Sequence, residues 1–359
     1  MKRLLILEDG SVYEGIGFGG DEFKIGELIF QTGMCGYQET ISDMSYYGQI
    51  VMMTYPAIGN VGINRDDFES MNPQLFGFVC KEYCDFPNNF RTEMTLNEYL
   101  ELKGIPGICD IDTREITRKI RDNGVMKAIM ADVDADVDAL VAQLKEAKDV
   151  TDGVKLVSNE KAYTIPNRGG KKVVMLDLGA KYGLIRELSQ RGCDIVSMPY
   201  DAKVEDILAV NPDGVVISNG PGIPAYIPET VATVKELAQS VAVFGVGLGQ
   251  QVIAESFGGK VAEMKFGHHG NSTPIVNVEA GKVEFTAQNH RFEVEEASLE
   301  GTGLVVTHRA LNDKSVEGFR HETLPVMGVA FNPEAAPGAD DTMYVFDQFI
   351  AMMSKGVEA

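Results

Sequence analysis

The chain has 359 residues, 44% of them hydrophobic, and a formal charge of −21. Length favours two domains with enough apolar content for two cores, and the acidity argues against nucleic acid or an anionic membrane as partner. No apolar run reaches the roughly 18 residues of a membrane span, so a soluble protein is expected.

The start, Met1 to Asp9, has a basic pair but only four apolar residues before an acid. It reads as a first strand and not as a signal peptide. Cys35, Cys80, Cys84, Cys109 and Cys193 form no CxxC pair and no zinc spacing. Such scattered thiols fit a reducing cytoplasm, and no metal site is expected in this chain. Residues 1–150 are expected to form the first domain. Its β-rich runs are 3–7, 27–31, 49–54 and 74–80, between Gly- and Asn-rich turns. Helices are predicted over 95–103, 113–122 and 137–147. Thr95 with Glu98 makes a capping box, and Thr113 caps the second helix.

Residues 151–172 are polar, contain Pro166, Gly169 and Gly170, and read as a linker. From 173 to 359 the period changes. Strands at 173–178, 194–198, 214–218 and 242–246 alternate with helices at 180–190, 203–210 and 228–239. That alternation predicts a mainly parallel sheet covered by helices on both faces. Short antiparallel strands are predicted over 275–306.

The strand at 242–246 runs into Gly245-Val246-Gly247-Leu248-Gly249, and a helix is predicted from Gln250 to Phe257. A strand, a sharp Gly-x-nucleophile-x-Gly turn and a helix form the nucleophile-elbow pattern. The nucleophile position here is Gly247, which has no side chain to attack with. Upstream, Ser218-Asn219-Gly220-Pro221-Gly222 ends a buried strand. Its backbone N–H groups suit an oxyanion hole.

These segments resemble the class I glutamine amidotransferase domain. The resemblance rests on 217–224 (ISNGPGIP), 244–251 (FGVGLGQQ), 265–270 (KFGHHG), 286–290 (TAQNH) and 332–338 (NPEAAPG). The first domain is similar to that of carbamoyl phosphate synthetase small subunits, through 30–38 (FQTGMCGYQ), 43–46 (DMSY), 54–64 (TYPAIGNVGIN) and 110–117 (DIDTREIT). The family uses a Cys-His-Glu triad, in which a thiolate attacks the glutamine amide and the His relays the proton. Matched to that pattern, the Cys position is Gly247, the His position is Asn332, and only the orienting Glu334 remains. The family's His after the elbow is Gln250.

The resemblance assigns substrate contacts to Ser45, Lys181, Gln251, Gln288 and Asn289, with Gly220 and Gly222 as the oxyanion turn. Arg291 stands where the family has Gly, and a long cation there is expected to alter the pocket. His268 and His269 are assigned to a structural loop. The resemblance further implies a large-subunit partner that carries ATP and metal, no cofactor in this chain, glutamine as pocket ligand, and a setting in arginine or pyrimidine biosynthesis. The expected function is a small subunit without glutaminase supporting an ammonia-using large subunit. The alternative is a non-catalytic binding protein for glutamine or another amino acid.

Overall fold

The computed structural model describes residues 2–167 and 169–355. They divide into two compact units, Met1–Val150 and Thr151–Ala359.

The first unit contains β1 (Lys2–Leu7), β2 (Val12–Gly19), β3 (Gly26–Gln31), α1 (Tyr37–Ser42), β4 (Gln49–Met53), β5 (Ala57–Ile58), β6 (Gly77–Val79), β7 (Glu82–Tyr83), α2 (Leu96–Leu102), β8 (Pro106–Cys109), α3 (Thr113–Asn123), β9 (Met126–Asp132) and α4 (Val137–Glu146). Seven strands close into a barrel in the order β1-β2-β8-β6-β4-β3-β9, with β9 antiparallel to β1. Closure leaves no unpaired sheet edge. Strands β2, β8 and β9 were not expected from the sequence pattern. In β2 the alternation is interrupted by Gly15 and Gly17, and the fold supplies the reason. A Cβ on Gly15 would lie 2.3 Å from the carbonyl oxygen of Cys109, and one on Gly17 3.0 Å from Nε of Arg3. Arg3 is itself buried and donates to the carbonyls of Phe18 and Gly107, each at 2.8 Å.

Two local expectations resolve differently. Thr95 and Glu98 form the capping box of α2. Helix α3 is capped instead by Asp112, whose Oδ1 accepts the Glu115 N–H at 2.9 Å. Thr113 is the first helical residue, because an ionised carboxylate one position earlier accepts that N–H more strongly than a hydroxyl.

The second unit begins at Thr151, the first residue of the segment expected to be a linker. That expectation is corrected. Residues 151–172 contain α5 (Gly153–Val157) and β10 (Tyr163–Ile165), and Val154 and Val157 are buried. The polar composition concealed two things: an edge strand needs one apolar face at most, and Asn159 is tied in by side-chain bonds. Its N–H donates to Asp177 Oδ2 at 2.9 Å and its Nδ2 to Ser197 Oγ at 2.7 Å.

There follow β11 (Lys172–Asp177), α6 (Tyr182–Gln190), β12 (Asp194–Pro199), α7 (Val204–Ala209), β13 (Gly214–Ile217), α8 (Pro228–Leu237), β14 (Ala242–Val246), α9 (Leu248–Ser256), β15 (Val261–Asn277), β16 (Lys282–Val294), β17 (Leu304–Ala310), β18 (Val316–His321), β19 (Val326–Val329) and α10 (Tyr344–Lys355). One ten-stranded sheet has the order β10-β12-β11-β13-β14-β19-β18-β16-β15-β17. Strands β12, β11, β13, β14 and β19 are parallel. Alternate residues of these strands face two cores. Val174, Val215 and Val243 pack with Val234 of α8 and Val252 of α9. Val173, Val216 and Phe244 pack with Leu184 of α6 and Phe349 of α10. Burial on both faces explains their continuous apolar runs.

The antiparallel extension starts earlier than expected, and its strands are long. Strand β15 has 17 residues and β16 has 13. Register shifts between Glu263 and His268 and between Gly270 and Thr273 break the two-residue alternation that would have marked a strand.

Candidate amidotransferase site

The elbow is present in the backbone. Strand β14 ends at Val246, Gly247 takes φ 56° and ψ −115°, and α9 starts at Leu248. The Gly247 N–H donates to the Val329 carbonyl at 2.8 Å, and its carbonyl accepts from Gln250 N–H at 3.0 Å. The three glycines of the turn are not equivalent. A Cβ on Gly245 would sit 2.5 Å from the Gly249 carbonyl oxygen, and one on Gly249 would sit 2.1 Å from that of Ile217. Backbone crowding therefore demands glycine at both. At Gly247 the nearest atom to an added Cβ is Asn219 Cβ at 3.3 Å. A side chain there meets no backbone clash but presses on Asn219, which would have to give by a few tenths of an ångström, and it needs a left-handed backbone that L residues rarely adopt.

The 218–222 turn lies against the elbow. The Gly249 N–H donates to the Ser218 carbonyl at 3.1 Å, and a Cβ on Gly220 would fall 2.1 Å from the Leu178 carbonyl oxygen. Gly222 has φ 83°. Backbone crowding at Gly220 and the positive φ at Gly222 favour glycine at both positions.

Beyond β19 come Asn332 and Glu334. Asn332 is fixed by its backbone, with its N–H on the Ala287 carbonyl at 2.9 Å. Glu334 faces a cation in place of an imidazole. Lys181 Nζ lies 2.9 Å from Glu334 Oε1, with side chains 2% and 0% exposed. The same ammonium donates to the Ala335 carbonyl at 3.0 Å. Lys181, expected as a substrate contact, is buried against the Glu334 carboxylate. Its stem is covered because the start of α6 is packed under the 218–222 turn, where Asn219 Oδ1 accepts the Lys181 N–H at 3.3 Å.

The remaining expected contacts are engaged within the chain. Gln251 Nε2 donates to the Phe292 carbonyl at 3.2 Å. Gln288 Nε2 donates to Thr286 Oγ1 at 3.1 Å and to Glu317 Oε2 at 2.9 Å. Asn289 Oδ1 lies 2.8 Å from His269 Nδ1. Arg291, expected to alter the pocket, is bonded through its guanidinium to Glu263 of β15. Gln250 is buried, and its Nε2 has no hydrogen-bond partner. Ser45 belongs to the first unit, in a 3₁₀ turn where its N–H donates to Asp43 Oδ1 at 2.9 Å.

His268 and His269 lie within β15 and not in a loop, paired in register with His290 and Asn289. Burial lowers the His269 pKa to about 3 and keeps it neutral, despite its bond to Asn289. Burial also opposes charge on His268, but bonds to Asp313 and Glu317 outweigh it and raise the pKa to about 10. Burial pushes the Glu317 carboxyl up, while His268 and His290 bring it down to about 2. Neither Glu317 nor Asp313 was singled out from sequence. They lie on a different hairpin from the histidines, so no local spacing joins them.

A cavity of about 760 Å³ is lined in part by His308, Arg320, Pro325 and Val326. It lies at the other end of the sheet. Val326 opens β19, whereas the elbow follows the carboxyl end of β14, its parallel neighbour.

With this geometry, comparison with known proteins places the chain. Residues 5–130 match the family described as carbamoyl-phosphate synthase small chain, CPSase domain, and residues 174–352 match glutamine amidotransferase class-I. The carbamoyl phosphate synthase small chain of Bacillus anthracis is 50% identical over 353 residues, covering 98% of this chain and 96% of that one. This chain belongs to the carbamoyl phosphate synthase small-chain family. The small chain of Fusobacterium nucleatum is 49% identical over 348 residues, 97% of each chain. The pyrimidine-specific small chain of Bacillus subtilis is 47% identical over 353 residues, covering 98% of this chain and 96% of that one. Among solved structures, a glutamine amidotransferase from Thermotoga maritima shares 17% identity with a TM-score of 0.38, over 52% of this chain and 86% of that one. No helix among the described residues is long and apolar enough to cross a membrane.

Proposed function

We propose that this chain is a carbamoyl phosphate synthase small subunit without glutaminase. It would act in the cytoplasm as partner of a large subunit that makes carbamoyl phosphate from bicarbonate, ATP and free ammonia. ATP and its metal belong to the large subunit in this reading. The observation that carries it is Gly247: an elbow with its backbone intact and no nucleophile. Support comes from the second missing group. Asn332 supplies an amide where proton transfer needs a group that titrates near neutral pH, and Glu334 is already balanced by Lys181. Nucleophile and base act as one unit, so losing both removes the covalent route. The residues left can still shape an amide-binding cleft, and the first unit is the part through which such a subunit would support its partner.

The test is co-purification with the cognate large subunit, followed by parallel assays with glutamine and ammonia. We expect a stable heteromer that makes carbamoyl phosphate from ammonia and releases no glutamate from glutamine. Glutamate release by the pure complex, lost on mutation of the elbow, overturns the reading. A small subunit that stays alone at micromolar concentration overturns its partner role.

A further inference from the structure

Among the described residues, one group of metal-ligand side chains lies outside the elbow chemistry. It comprises His268 on β15, His290 on β16 and Glu317 on β18, with donor atoms within 4.8 Å of one another. Their side chains are only 10%, 4% and 0% exposed.

The surrounding bonds dictate where the imidazole lone pairs point. His290 Nδ1 lies 3.0 Å from the Phe292 carbonyl oxygen. A carbonyl only accepts, so Nδ1 carries the proton and Nε2 keeps its lone pair. That Nε2 is buried without a hydrogen-bond partner and sits 3.7 Å from Glu317 Oε1. His268 Nε2 lies 2.8 Å from Asp313 Oδ2, so it too donates outward. His268 Nδ1 then faces Glu317 Oε1 at 3.0 Å. Two inward nitrogens and one carboxylate oxygen converge. A proton on His268 Nδ1 answers one contact, but it leaves the His290 lone pair against the carboxylate. A doubly charged cation answers all three and balances Glu317 and Asp313 together.

We propose that His268 Nδ1, His290 Nε2 and Glu317 Oε1 form a binding site for a divalent transition metal of the zinc class. Asp313 and the Phe292 carbonyl fix the two imidazoles from outside. Two imidazoles and one carboxylate suit zinc and its neighbours rather than calcium or magnesium. Metal-bound histidines commonly donate their other N–H to a carboxylate or carbonyl, as both do here. Zinc bonds of about 2.0–2.2 Å imply ligand–ligand separations of roughly 3.3–3.6 Å in a tetrahedron. The 3.0 and 3.7 Å contacts bracket that value. Binding displaces the proton from His268 Nδ1 and leaves a fourth position for water. Glu317 Oε2 also holds Gln288 Nε2, so an occupied site would stiffen the strand that carries Gln288 and Asn289. The site is independent of the loss of glutaminase.

The test is calorimetric titration of the full chain, stripped of metal with a chelator, with Zn²⁺ at pH 7.5, and with Co²⁺ followed by visible absorption. We expect one Zn²⁺ per chain with a Kd below about 10 µM, and a Co²⁺ spectrum free of thiolate charge transfer. His290→Gln and Glu317→Gln should each weaken binding at least ~10-fold, while both retain all five cysteines. Absence of stoichiometric binding up to 100 µM Zn²⁺ overturns the site (a ceiling roughly tenfold above the expected Kd). So does binding unchanged in both variants, which would assign the metal to thiols. If a variant fails to fold, the wild-type Co²⁺ spectrum decides: a thiolate band refutes the proposal and its absence supports it.

Discussion

The elbow and the imidazole cluster of the second unit differ in what each retains. At the elbow the backbone is complete and the reactive atoms are absent. Gly245, Gly249 and Gly220 are pinned by carbonyls 2.1–2.5 Å from any added Cβ, so the turn persists whatever stands at 247. Across β15, β16 and β18 the titratable atoms are present and converge, although no motif announces them. The shape of a site is held by backbone crowding, and its chemistry resides at side-chain ends. The two can be lost separately.

The largest test of that contrast adds reactive atoms back to the elbow. Gly247→Cys alone should leave glutamate release near the buffer blank. Adding Asn332→His should restore measurable turnover, and adding Arg291→Gly should raise it further by freeing the strand from the Glu263 contact. Loss of a nucleophile costs on the order of 10⁶ in turnover in the protease precedent, so the recovered signal has a wide range in which to appear. Equal rates for the single and triple variants would show that the missing base is irrelevant.

A second test concerns the carboxylate left behind. Lys181→Met strands Glu334 in the interior and should cost about 3–5 kcal/mol, whereas Lys181→Met with Glu334→Leu should cost much less. Urea denaturation of the set measures this. Additive losses would mean that the two side chains are not paired in solution.

Gly247→Ala isolates the backbone term. With φ at 56° and Asn219 Cβ at 3.3 Å, the expected cost is about 1–3 kcal/mol. The same change at Gly10, with φ 87° and nothing within 4 Å of its Cβ, should cost less. Equal costs at the two sites would remove the special character of the elbow.

The smallest expected effect is a pH dependence at His308, a buried imidazole bonded to Tyr344 Oη at 2.9 Å. Burial lowers its pKa to about 4 against the pull of Glu317 and Glu279. The folded state therefore refuses a proton that the unfolded chain takes near pH 6.5. Its stabilisation is full above that pH and declines as the pH falls toward about 4. Relative to His308→Gln, the wild type should lose about 1 kcal/mol between pH 6.5 and 5.5, read from urea midpoints. Parallel curves would mean that His308 is charged when folded, held by Glu284 at 4.0 Å.

Much of the second unit was legible because its signals are local. Parallel strands buried on two faces are continuous apolar runs, and Ala242–Val246 followed by close-spaced glycines has few other readings. The helix caps were half legible. Thr95 with Glu98 sits in the expected box, but Asp112 displaced Thr113. The linker was misread because polar residues such as Asn159 fasten an edge strand through side-chain bonds that composition does not record.

From the sequence alone came the two-part organisation, the alternating strands and helices, and a glycine and an asparagine at the positions matched to the family's Cys and His, since residue identity needs no coordinates. Tertiary structure alone decided three things. It closed the first unit into a barrel, with Gly15 and Gly17 in β2 making room for Cys109 and Arg3. It brought Lys181 against Glu334, residues 153 positions apart in the chain. It gathered His268, His290 and Glu317 from three strands. Each outcome depends on which distant groups share a small buried volume, where desolvation forces charges and lone pairs to find partners.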